Sequence, residues 1–289
     1  MPYLLMVMPP LFWSGNFVLG RAVAGHVPPI GLAFWRWAIG CLLVLPLAWP
    51  HLRRDLPALR AHWGIVLVLS AVGIAAFNSF VYVGLNRTTA LNAVMMQSTM
   101  PVLIVLMSFM LFRQRISALG ALGIGVSLAG VAAIVGRGDP AAFAGLDLNL
   151  GDVWVFAAVV SYSAYTALLR RKPAAHPFSF LAVTFGLGAL MLVPFYAWET
   201  ATVRPVRPDL LTVAAIAYVA LFPSILAYLC YNRSVELIGA NRTGLSIHLM
   251  PVFGSVMAML FLGERLSWYH GLGIVLIAAG IALANRRED

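Results

Sequence analysis

Long stretches of apolar residues separated by short polar loops make up almost the whole of this chain. A helix crosses the hydrocarbon core of a bilayer with about 20 mostly apolar residues, because lipid offers no partner to the backbone and every bond must close within the segment. Such runs recur. They predict about ten spans: Tyr3–Gly20, Ile30–Trp49, Trp63–Leu85, Thr89–Phe112, Ile116–Gly136, Val153–Leu169, Pro177–Trp198, Leu210–Tyr231, Thr243–Leu262 and Leu266–Asn285. Arg36 is the one formal charge inside them, and all ten Asp and Glu residues are expected in loops or at the carboxyl terminus. The first run, although followed by Ala22-Val23-Ala24, lacks a basic leader and exceeds the apolar core of a signal peptide, so it reads as a span. The fold class expected is an all-α membrane protein.

Sliding the chain against itself by 150 residues superposes Met100-Pro101-Val102 on Met250-Pro251-Val252 and Leu122-Gly123-Ile124 on Leu272-Gly273-Ile274. Arg115-Ile116-Ser117 falls on Arg265-Leu266-Ser267, Ala129-Gly130 on Ala279-Gly280, and Pro46 and Trp49 find looser echoes in Pro194 and Trp198. Identities at one ungapped offset predict two five-helix repeats, residues 1–145 and 146–289. An odd number of spans per repeat makes the halves cross in opposite senses. This is the inverted repeat of secondary transporters, which places a substrate site near the midplane between the halves.

Composition agrees: 62% of residues are hydrophobic and 10% charged, against about 25% charged in soluble domains. The net charge of +9 does not point to nucleic acid, because the basic residues are scattered among short loops. Cys41 and Cys230 lie inside apolar stretches, which excludes a disulfide framework. With the amino terminus in the cytoplasm, the inner loops and tail hold 12 basic residues, among them Arg53, Arg113 and Lys172, and the outer loops hold 6. The asymmetry predicts that both termini are cytoplasmic.

Several features carry a resemblance to a known group. They are the paired Pro-containing fourth and ninth helices, the run Gly263-Glu264-Arg265-Leu266-Ser267 with its weaker copy Arg113-Gln114-Arg115-Ile116-Ser117, the Gly-rich helix after each, and Arg36 within Phe34-Trp35-Arg36-Trp37. On these the chain resembles the EamA-type ten-helix members of the drug/metabolite transporter superfamily over essentially its whole length. In detail it is most similar to the YddG-type amino-acid exporters. The resemblance implies a basket-shaped bundle with a central cavity lined by helices one, three, four, six, eight and nine. It also implies export of the solute, with the plasma membrane, the inner membrane in a bacterium, as the expected location; a monomer without cofactor is expected.

Polar and aromatic residues of those helices pair at helical spacing: Trp13 with Asn16, Asn78 with Tyr82, Tyr162 with Tyr165, and Tyr228 with Tyr231. The same offset lays Asn78 on Tyr228 and Tyr82 on Asn232. Pro101 and Pro251, near the middle of their helices, are candidate hinges that free the carbonyls of Gln97 and Ile247 one turn earlier. Gln97, Thr243, Ser246 and His248 add hydrogen-bonding groups nearby. Packing or an interfacial aromatic belt is the competing reading of the aromatics. Arg36 reads either as an anchor that snorkels to the outer surface or as an attraction for a substrate carboxylate. The row Ala121, Gly125, Ala129 and Ala133, with Gly280 and Ala284, is expected to bring helices close, and Ser117 and Ser267 to cap the helices that follow them.

The chain has no Asp-rich motif and no His-Glu-x-x-His, so no metal site is expected and a membrane-embedded enzyme acting on lipids is disfavoured. A channel or structural subunit is the other alternative. Without an intramembrane carboxylate, the preferred solutes are neutral or zwitterionic, above all neutral and aromatic amino acids, with lipids as the surrounding partner. Proton coupling is expected to run through His248 or to be absent.

Overall fold

The computed structural model describes residues 2–88, 93, 96–139, 141, 149–262 and 267–285. Among them the regular secondary structure is entirely helical. In chain order we label α1 (Pro2–Ala22), α2 (Pro29–Ala61), α3 (Trp63–Leu85), α4 (Met100–Phe112), α5 (Ala118–Val135), α6 (Leu150–Arg171), α7 (Pro177–Thr202), α8 (Leu210–Ile238), α9 (residues 240–262) and α10 (Trp268–Asn285). Six of these, α2, α3 and α5 to α8, are long and apolar enough to cross a membrane, while α4 and α10 are shorter apolar helices. Large apolar side chains such as Leu42, Leu47, Met110 and Leu190 point outward. In lipid they need no further cover.

Helices α1, α3, α4, α6, α8 and α9 pack on one another at the centre, with α2 laid along α7 and α5 along α10. The predicted second span stops at Trp49, yet α2 runs on to Ala61 through Pro50, Arg53, Arg54 and Pro57. Proline and charge end the apolar run without ending the helix, because neighbours supply partners at the membrane surface. Within this extension the Asp55 carboxylate accepts the His176 backbone N–H at 2.8 Å, which ties α2 to the start of α7. The expectation that every acid lies in a loop or the tail is likewise corrected. Asp55, Asp152, Glu199 and Glu236 lie in end turns of α2, α6, α7 and α8, where they bind backbone or basic groups.

Two helices are interrupted by a π turn, Ser70–Ala76 in α3 and Leu221–Leu226 in α8. In α8 the cause is Pro223, which has no N–H to donate. A π turn leaves carbonyls for other donors, and side chains take them here. Val72 O accepts from the Ser161 hydroxyl at 2.7 Å, and Gly73 O accepts from the Tyr228 hydroxyl at 2.5 Å.

Pro101 and Pro251 do not kink the middle of continuous helices. Pro101 sits in the first turn of α4, after a turn at Ser98–Thr99. Pro251 follows a short helix (Ala240–Leu245) and a 3-10 turn (Ser246–His248), in the first turn of Leu249–Leu262. A proline is accommodated at such starts because its missing N–H has no intrahelical partner there. The first part of the expected fourth span, residues 89–92 and 94–95, lies outside the described residues, as do the repeat boundary near residue 145 and Gly263 to Leu266.

Ser117 caps α5 as expected, accepting the Gly120 N–H at 3.0 Å, a bond worth about 1 kcal/mol. At Ser267 the bond runs the other way, with its N–H donating to His270 Nδ1 at 3.0 Å. The small-residue row holds for Gly280 and Ala284 and is corrected for α5. Ala121, Gly125 and Ala129 are exposed, and α5 meets α10 through Gly123, Ser127 and Gly130 against Gly273, Gly280 and Ala284. Small residues surround α5 on every side, so their spacing alone does not select the face.

Candidate functional site

The middle of the bundle is an aromatic box drawn from α1, α3, α6 and α8. Trp13 lies 5.4 Å from Tyr162, edge to face, and 5.2 Å from Tyr231. Phe77 lies 4.5 Å and Tyr165 5.2 Å from Tyr162, and Tyr228 closes the box 5.8 Å from Tyr165. These separations are those of attractive aromatic pairs. Between Trp13, Asn16, Phe77, Gln97, Tyr162 and Met250 lies a narrow gap of ≈ 10 Å³, room for about one water. The centre is closed in this conformation.

Polar atoms are unevenly satisfied there. The Tyr165 hydroxyl donates to Asn232 Oδ1 at 2.9 Å, and the Thr166 and Tyr231 hydroxyls lie 3.0 Å apart. Asn78 and Tyr162 bring their polar atoms near the Tyr228 hydroxyl without reaching hydrogen-bond geometry. Gln97 Nε2 and Asn232 Nδ2 also lack partners among the described residues. Such atoms are rare in folded interiors and concentrate where a ligand or water completes the bonding.

Arg36 of α2 is fully buried, which removes the snorkelling reading. Its Nε donates to Ser224 Oγ at 2.6 Å, Nη1 to Asn16 Oδ1 at 3.0 Å and to the Tyr82 hydroxyl at 2.9 Å, and Nη2 to Pro223 O at 2.9 Å. The guanidinium carbon stands 4.7 Å from the Trp37 ring centroid. The Tyr82 hydroxyl also donates to Asn16 Oδ1 at 2.7 Å, and Trp13 Nε1 to Pro223 O at 3.1 Å. Asn16 and Trp13 therefore connect the cation to the gap. None of the ion pairs among the described residues involves Arg36.

The two ends of the bundle differ. At one, a vestibule of ≈ 530 Å³ is lined by residues including Ser108, Ala167, Lys172, Val235 and Glu236. Lys172 and Arg233 both bind Glu236, at 2.6 and 2.8 Å. Along α6 and α8, the layer formed by Tyr165, Thr166, Tyr231 and Asn232 lies between this vestibule and the gap. At the other end Arg21 donates to Leu85 O at 2.8 Å, and Arg204 to Ala24 O at 3.2 Å. Glu199 accepts the Ile30 and Gly31 N–H groups at 3.1 and 2.7 Å, satisfying the positive start of α2. Asp209 caps α8 beside them, and the Thr212 backbone N–H holds its carboxyl below the usual carboxylate range.

Of the residues singled out from sequence, Trp13, Asn16, Gln97 and Tyr162 line the gap, and Asn78, Tyr82, Tyr165 and Tyr228 are buried around it. Ser246 and His248 are not among its lining. Ser246 donates to Thr243 O at 2.7 Å. His248 Nε2 lies 2.9 Å from Ser98 O and Nδ1 2.7 Å from Ser127 Oγ of α5. A carbonyl only accepts, so Nε2 carries the proton and Nδ1 takes the serine hydroxyl. Sequence reasoning missed Phe77, Met250 and Ser224, along with both π turns. Pro223 within an apolar run was the available signal for one of them.

Both stretches of the chain that carry these elements, residues 1–136 and 149–286, match the EamA-like transporter family. The chain is 25% identical to "Uncharacterized transporter YyaM" of Bacillus subtilis over 286 residues, covering 98% of this chain and 93% of that one. It is 26% identical to an "Uncharacterized transporter" of Archaeoglobus fulgidus over 288 residues, covering 99% and 98%. A solved crystal structure superposes with a TM-score of 0.79 at 22% identity, covering 98% of this chain and 96% of that one, which establishes the likeness of fold. The chain belongs to the EamA-like transporter family of the drug/metabolite transporter superfamily and is a multi-pass membrane transporter.

Proposed function

We propose that the protein is a secondary carrier for neutral and aromatic amino acids, bound in the central gap and exported by alternating access. The observation that carries this reading is the set of orphaned polar atoms on Asn78, Gln97, Tyr162 and Asn232 within or beside an aromatic box. Leaving a buried polar group unpaired costs about 1–3 kcal/mol, so a solute that supplies the missing partners is favoured while its side chain packs on the rings. In this reading α1, α4, α9 and α10 also span the membrane, which gives ten spans in two inverted halves, residues 1–145 and 146–289.

Element limits support the repeat. Helix α5 (Ala118–Val135) and α10 (Trp268–Asn285) begin and end 150 residues apart, and the π turns of α3 and α8 fall at nearly the same offset. Tyr82 bonds Asn16 in one half and Asn232 bonds Tyr165 in the other, the same pair with roles exchanged. Rocking of one half against the other would open the Lys172–Glu236 end and the Arg21–Leu85 end in turn.

Asn78→Ala and Tyr228→Ala should each abolish amino-acid flux in proteoliposomes while the protein stays monodisperse in detergent. Phenylalanine, tryptophan, methionine and leucine should compete better than lysine or glutamate. Normal flux in both variants, or lysine outcompeting phenylalanine, removes the grounds for the assignment. We place both termini and the Lys172 end in the cytoplasm, on the excess of basic residues there. A Lys172→Cys variant should then resist an impermeant thiol reagent applied to intact cells, and labelling from outside would reverse the topology.

A further inference from the structure

Arg36 presents a problem that packing does not solve. It is a fully buried guanidinium, held by neutral groups alone among the described residues, in a protein whose surroundings make an uncompensated charge costly. A structural clamp would be expected to satisfy acceptors that have nothing else, but here two of the four have a second donor and the other two, the Ser224 and Tyr82 hydroxyls, are themselves bonded elsewhere. Asn16 Oδ1 holds the Tyr82 hydroxyl, Pro223 O holds Trp13 Nε1, and Ser224 spends its own hydrogen on Val219 O at 2.7 Å. The cation is stored among dipoles that can give it up.

We propose that Arg36 is the anion-recognising pole of the carrier site, and that the transported solute must bear a carboxylate. The proposal rests on the carrier reading for its location and adds the substrate class. A carboxylate entering beside Asn16 takes the place of the Asn16 oxygen on Nη1. It then meets the planar fork of N–H donors that such an anion fits with two parallel bonds. A guanidinium has five N–H donors, and four hydrogen bonds from Arg36 to described residues are recorded. The Tyr82 hydroxyl, once it no longer donates to Asn16, is free to donate to the same anion. The charge is neutralised only while solute is bound.

The rest of the solute then lies against Trp13, Phe77 and Tyr162, where none of the described lining residues offers a carboxylate to an ammonium group. Selectivity between an acid and its neutral or amine analogues is accordingly set by the carboxylate. An amino acid and the 2-oxo acid with the same side chain should both bind, whereas the amide or the decarboxylated amine should not.

The test uses the purified full-length protein and three probes, phenylalanine, phenylpyruvate and phenylalaninamide. Both acids should raise the unfolding temperature in detergent and inhibit phenylalanine counterflow in proteoliposomes, with the amide about tenfold weaker or more. In Arg36→Gln the preference for acid over amide should collapse, and Arg36→Lys should restore part of it. Equal potency of acid and amide on the wild-type protein, or no response to any of the three, overturns the proposal without recourse to a variant. A preference for acid that survives in Arg36→Gln overturns it as well. An acid-selective thermal shift without counterflow would remove the carrier reading and leave this one, and counterflow without discrimination would do the reverse.

Discussion

Arg36→Met is expected to leave the protein folded and to reduce transport by about 100-fold or more, the loss that follows from removing two charge-assisted hydrogen bonds worth roughly 1.5–3 kcal/mol each. Methionine keeps the length and apolar stem of the side chain, and removing a buried cation that no acid among the described residues pairs also removes the cost of burying its charge. The partners of Arg36 do not collapse with it, because Asn16, Pro223 and Ser224 each keep another bond. The unfolding midpoint, followed by tryptophan fluorescence, should stay within about 3 °C of wild type, a shift corresponding to about 1 kcal/mol in a chain of this size. A structural clamp predicts the opposite pattern, with the midpoint falling steeply and flux lost only in proportion to unfolded protein.

Gly123→Leu should have the largest effect on stability. A Cβ at Gly123 would stand 2.6 Å from Gly280 O and 2.8 Å from Ala284 N, and one at Gly280 would stand 2.5 Å from Gly123 O. These are backbone atoms, so α5 and α10 can accept the side chain only by moving apart. In a membrane, where close packing rather than water drives helix association, that separation forfeits the contact. Overpacking costs roughly 1–3 kcal/mol and more where backbones must shift, which places the expected fall in midpoint at several degrees. Gly125→Leu is the control, because a Cβ there meets nothing within 4 Å. If the two variants unfold at the same temperature, the α5–α10 contact has been assigned to the wrong face.

The ease of reading this protein from its sequence varied with the physics that encodes each feature. Spans were legible because lipid demands uninterrupted apolar runs, and Trp63–Leu85 was placed at both ends. Helix ends beyond the apolar core were not, as α2 shows by continuing through two prolines and a cluster of charges to Ala61. The aromatic pairs at helical spacing pointed to residues that meet at the centre of the bundle, since Tyr162 and Tyr165 must share a face. The same argument failed for α5, where small residues are too common to mark one. The breaks before Pro101 and Pro251 and the π turn around Gly73 depend on which tertiary donors reach the freed carbonyls, a fact that periodicity does not contain. Arg36 was visible as the lone charge in a span, but its burial and its neutral partners come from α1, α3 and α8, which the sequence does not place around it.

The central claim is that the closed aromatic centre is the binding site of a carrier, and saturable exchange tests it most directly. In proteoliposomes preloaded with unlabelled L-phenylalanine, external labelled L-phenylalanine should accumulate transiently above its external concentration. The uptake should saturate, should be far weaker with the D-isomer inside, and should be absent in Tyr228→Ala. Flux that rises linearly with concentration and ignores both stereochemistry and internal solute would contradict the account and indicate a channel.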